Sequence, residues 1–81
     1  MALILTNDVQ AEMVRRRLQL EWIERTVNAP DWTRPDPLRP GVTRSYRRIP
    51  EIGGRMLRVA HRPSGTDIVI ITAHPDRNAK P

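Results

Sequence analysis

Apolar positions along this chain change their spacing halfway. In the first thirty residues Val9 and Met13 stand four apart, with Arg16 or Arg17 continuing the row by its aliphatic stem. Leu20, Ile23 and Val27 then stand three and four apart. These intervals predict two helices, each with one apolar stripe. Thr6 or Asn7 can cap the first, with Asp8 in its opening turn where negative charge suits the helix dipole, and it should stop near Arg17. In the second, Arg25 can pair with Glu21 one turn back, and Asn28, Ala29 and Pro30 end it. Beyond residue 43 the interval falls to two: Leu57, Val59 and His61 alternate with Met56, Arg58, Ala60 and Arg62, while Ile68 to Ile71 is continuously apolar. Three strands are predicted, Thr43 to Ile49, Arg55 to His61 and Asp67 to His74, joined at Gly53-Gly54 and at Pro63-Ser64-Gly65.

Pro30, Pro35, Pro37 and Pro40 make 29–42 an extended connection rather than a helix or central strand, with Trp32 pinning it to the core. Leu3 to Leu5 is a short strand or an apolar lead-in. The expected architecture is α+β, two N-terminal helices packed on one face of a three-stranded, or four-stranded, antiparallel sheet. Residues 1–75 form one domain and 76–81 a short, frayed tail.

Composition narrows the chemistry. A chain of 81 residues sits near the lower limit for a self-sufficient core, so any site should lie on the surface or in a shallow groove. Cysteine is absent, which excludes disulfides, thiolate nucleophiles and cysteine-based zinc sites, and suits a reducing cytoplasm. The opening Met-Ala-Leu-Ile-Leu run is too short for a signal-peptide core, and no apolar run reaches membrane-spanning length. The net charge of +5 is unevenly placed. Residues 1–42 hold equal numbers of acids and bases, so the excess lies wholly in 43–81 and is densest between Thr43 and Arg62. That concentration attracts phosphates or an acidic protein.

Phosphate-binding glycine loops, His-Glu-x-x-His, Gly-x-Ser-x-Gly and EF-hand loops are all missing. The two histidines without a placed carboxylate do not define a metal site, and no cofactor is expected. What remains is Arg44, Tyr46, Arg47, Arg48, Arg58, His61 and His74. Metal-independent RNA cleavage needs a base for the ribose 2′-hydroxyl, an acid for the leaving 5′-oxygen and cations around the phosphate. Histidine and arginine supply those functions near neutral pH. Arg58, His61 and His74 are therefore the candidate catalytic residues, and Arg44, Tyr46, Arg47 and Arg48 the candidate RNA- or phosphate-binding residues. Strand parity divides them. Arg44, Tyr46 and Arg48 share one face, Arg47 points to the other, and Arg58 and His61 fall on opposite faces unless a bulge or twist unites them. Each histidine can equally be a strand-end residue bonded to the protein itself.

Several short motifs carry a resemblance: Leu5-Thr6, Glu12-Met13, Arg16 before Leu18, Ile23 and Val27, Arg44-Ser45-Tyr46, Gly54-Arg55-Met56-Leu57-Arg58-Val59, and Ile70-Ile71-Thr72-Ala73-His74. Taken together they resemble a family of short bacterial proteins of unassigned function among the RelE/ParE-like toxins, similar to the BrnT toxins. The resemblance implies helices packed on an antiparallel sheet and a toxin-like activity, either RNA-cleaving or ribosome-associated and so directed at RNA or at ribosome-bound mRNA, under the restraint of an acidic antitoxin. A homodimer is one expected state, and no membrane association is expected. Relatives usually carry histidine where this chain has Asp8, and glycine where it has Arg17, a residue suited to a left-handed helix stop. The alternative is a non-catalytic basic module that binds RNA or an acidic partner.

Overall fold

The computed structural model describes residues 1–81. Strand β1 (Leu3–Leu5) leads into helix α1 (Asn7–Arg16) and helix α2 (Leu20–Asn28). Strands β2 (Trp32–Pro35), β3 (Thr43–Ile49), β4 (Arg55–Ser64) and β5 (Asp67–Pro75) follow, with one 3-10 turn at Pro50–Ile52. The fold is α+β, with two N-terminal helices on a five-stranded mixed sheet of order β1-β5-β4-β3-β2. This corrects the expected three- or four-stranded antiparallel sheet at both edges. At one edge, β1 pairs parallel with β5, because the two helices between β1 and β2 carry the chain across the sheet. At the other, Trp32–Pro35 pairs antiparallel with Thr43 through Tyr46 of β3, Trp32 opposite Tyr46 and Pro35 opposite Thr43. Proline density argues against a central strand there, but an edge strand needs donors along one side only, and Pro35 is its last residue.

Helix α1 begins as its sequence predicts: the Thr6 hydroxyl accepts from the Val9 N–H at 3.2 Å. It ends at Arg17, whose φ of 55° and ψ of 42° are left-handed. Leu18 N–H reaches Met13 O at 2.9 Å and Arg17 N–H reaches Val14 O, the paired bonds of a Schellman stop. Arg17 thus occupies a conformation in which glycine is unstrained and arginine is not. On α2, Ile23 and Thr26 are fully buried and Trp22 packs on the core, whereas Leu20 is 41% exposed. Of the stripe that Leu20, Ile23 and Val27 suggest, Ile23 and Val27 pack on the core and Leu20 does not; Trp22 and Thr26 complete the buried face. Thr26 tolerates burial because its hydroxyl donates to Trp22 O at 2.8 Å.

The core lies between the helices and one face of the sheet. Val9 and Ile23 meet Ile49, Leu57, Val59, Ile70 and Ala73 there. Each large aliphatic side chain fully buried in this layer contributes roughly 1.5–3 kcal/mol. On the opposite face α1 reaches the β5 edge, where it lies beside Thr72 and His74, and candidate polar chemistry is concentrated on this face. Beyond β5 the chain is not frayed: Asp76 N–H donates to Met56 O at 2.9 Å and Arg34 donates to Lys80 O.

Candidate functional site

One row of cross-strand partners spans four strands. Trp32 on β2 faces Tyr46 on β3, Tyr46 faces Arg58 on β4, and Arg58 faces His74 on β5. Successive members of such a row stand about 5 Å apart at Cβ, so aromatic surface, guanidinium and imidazole adjoin one another on the face opposite the core. Trp32 and Tyr46 stack with ring centroids 5.0 Å apart. With Tyr46 only 5% exposed, the pair is a packed floor rather than a free stacking platform.

His74 joins this row through a single irregularity. From the hairpin end, Ser64 to His61 pair with Asp67 to Ile70, but Ala60 then pairs with Thr72, leaving Ile71 without an opposing residue. Unbroken pairing would have set His74 opposite Leu57, on the helix face. The extra residue shifts the register by one and turns His74 to the open face beside Arg58. The bulge has no such effect on His61. It stays opposite Thr43, with its Nε2 hydrogen-bonded to Ser45 Oγ at 2.7 Å. Arg58 and His61 therefore lie on opposite faces, and of the two histidines only His74 adjoins Arg58.

Arg58 donates to His74 Nε2, and its Nη1 lies 3.3 Å from Asp76 Oδ2. A guanidinium can only donate, so Nε2 is the acceptor and the His74 ring is neutral, with its proton on Nδ1. Burial pushes the His74 pKa below its ordinary 6.5, and the nearby charges of Arg58 and Arg16 push it the same way. A neutral imidazole with a basic nitrogen at neutral pH is the result. Beside it a cleft of about 450 Å³ is lined by Asp8, Ala11, Glu12, Arg15, Thr72 and His74, where α1 flanks the end of β5. Glu12 is held below the usual carboxylate range, first by its hydrogen bond with Arg16. His61 is also lowered, by burial alone.

The other candidate arginines have different surroundings. Arg44 Nε donates to Asp36 Oδ2 at 3.2 Å, and Asp36 also accepts from the Leu38 and Arg39 N–H groups. Arg44 thereby fixes the loop between β2 and β3. Arg47 points to the helix face and donates to Ala29 O just past the end of α2. Arg48 donates to Gly54 O at 3.1 Å, across the turn between β3 and β4. Arg34 and Asp76 enter this face unpredicted. Parity alone would have flagged Asp76, two positions beyond His74, had the strand been extended. No cluster of three or more metal-ligating side chains forms, and no helix is long and apolar enough to cross a membrane. The chain matches no family model, no curated protein and no solved structure.

Proposed function

We propose that the protein is a metal-independent ribonuclease toxin of the RelE/ParE type, acting from the open face of its sheet. The observation that carries the reading is the row Tyr46, Arg58, His74, which unites a phosphate-sized cationic fork and a neutral imidazole. On RNA binding, Arg58 gives up its bond to His74 and holds the scissile phosphate. That move frees Nε2 to take the 2′-hydroxyl proton as the 2′-oxygen attacks phosphorus. The 5′-oxygen leaves with a proton from water, and a 2′,3′-cyclic phosphate remains. Arg34 and Arg62, which make no ion pair, extend the positive field along the strand, where an acidic antitoxin segment would also bind.

The test is incubation of the protein with end-labelled single-stranded RNA, with and without EDTA. Cleavage unaffected by EDTA, cyclic-phosphate ends, and its loss in Arg58→Ala and in His74→Ala are expected. A second reading is favoured by the single histidine on this face: a basic module that binds RNA or an acidic partner without cutting. Binding that weakens steeply with salt, with RNA left intact by the wild type, would establish that reading instead.

A further inference from the structure

The chain beyond β5 crosses the open face and is fixed at several points. Asp76 N–H donates to Met56 O on β4, Asp76 Oδ1 accepts from Asn78 N–H at 2.9 Å, and Ala79 N–H donates to Asp76 O. Farther on, Lys80 O accepts from Arg34 on β2. Between these ties the Asp76 carboxylate rests on Arg58, where the two side chains are 19% and 23% exposed.

We propose that Asp76 occupies the position of the substrate phosphate, and that residues 76–80 form a strap which an incoming RNA phosphate displaces from Arg58. The identity of the polyanion rests on the reading above; the displacement does not. A carboxylate and a phosphodiester each carry one negative charge and present two oxygens to a guanidinium. Exchange of one for the other therefore leaves the charge balance at Arg58 unchanged. Residues 43–81 contain only three acids. Glu51 is bound by Arg25 at 2.8 Å, and Asp67 accepts from the Ala2 N–H at 3.0 Å, both away from the row. Asp76 alone of the three reaches Arg58, and the turn closed by Asn78 aims it there. Because its pair with Arg58 is partly exposed, displacement opposes binding only about five-fold, so the strap can yield to a ligand.

If Asp76 instead served to orient Arg58 for phosphate, removing its charge would weaken binding; a strap predicts the reverse. The full chain labelled with nitrogen-15 is titrated in two arms, with inorganic phosphate and with a single-stranded oligoribonucleotide, as wild type and as Asp76→Asn. In the wild type both ligands should shift the Asn78 and Ala79 amide signals in step with the Arg58 Nε–H signal. Asp76→Asn should bind both about five-fold more tightly. Equal or weaker binding by Asp76→Asn, or an Arg58 shift that leaves Asn78 and Ala79 unmoved, overturns the strap. If phosphate gives the expected pattern and RNA binds neither protein, the RNA reading fails while the strap stands. RNA bound equally by both proteins has the opposite meaning. Should Asp76→Asn fold poorly, the coupled wild-type shifts decide the matter alone.

Discussion

The two faces of the sheet use polar side chains in opposite ways. On the helix face they are consumed within the protein: Ser45 by His61, Arg47 by Ala29 O, and Thr26 above them by Trp22 O. On the open face Arg44 is also committed, to buried Asp36, but the contacts of Arg58 with Asp76 and His74 and of Arg34 with Lys80 O are exchangeable. Both faces contain arginine and histidine, so abundance of positive charge does not distinguish them. The difference lies in whether a side chain can leave its partner for a ligand without exposing an unpaired buried group.

The histidines give the sharpest test of that contrast. His74→Ala should lower RNA cleavage by about 10²–10⁴-fold, the usual contribution of a positioned proton carrier. His61→Ala should leave the cleavage rate unaltered, and cost about 1 kcal/mol in urea unfolding by depriving buried Ser45 of its partner. Equal losses of cleavage would erase the distinction between the faces. A second contrast concerns stability. Ile70→Ala, in the helix-face core, should lose about 2–5 kcal/mol, whereas Arg62→Ala on the exposed end of β4 should stay within about 0.5 kcal/mol by the same measurement.

Arg17→Gly should gain up to about 1 kcal/mol, because glycine meets no Cβ penalty in the left-handed helix stop. Calorimetry should show the midpoint rising by about 4–8 °C. An unchanged midpoint would mean that the arginine side chain compensates for its backbone. The smallest effect is one of pH. Both histidines have folded pKa values below 6.5, so the unfolded chain binds more protons in the interval beneath that value. Stability is therefore complete above about pH 6.5 and declines as pH falls through the interval. Urea midpoints at pH 7.5 and pH 5.5 should show the decline, with a flatter profile in His74→Ala.

Much of this framework is visible in the chain. Helix initiation at Thr6, the stop at Arg17, the Glu21–Arg25 pair and the three C-terminal strands follow from local spacing and capping chemistry. Tyr46 and Arg58 also follow, since the tight turn near Gly53-Gly54 fixes the register of β3 on β4. His74 does not, because its orientation depends on one unpaired residue, Ile71, inside a continuously apolar run that gives no sign of a bulge. Strand β2 was obscured for a related reason. Its proline content records a requirement for an edge position, and local pattern cannot show which segment lies at an edge. Asp76 lies past the last periodic position, where spacing has nothing more to report.

The parallel pairing of β1 with β5 bears on how the protein is made. Leu3–Leu5 leave the ribosome well before their partners Ile68–Ile70, so this segment waits for the whole of the intervening chain before its backbone groups are satisfied. Val9 likewise needs Ile70 and Ala73 to close its layer of the core. At ordinary elongation rates of about 5–20 residues per second, that wait lasts several seconds. Arg58 likewise meets His74 only after β5 has been made, so a nascent chain that lacks β5 carries no assembled open face. If the proposed cleavage of RNA holds, late assembly would shield the message and the ribosome producing it.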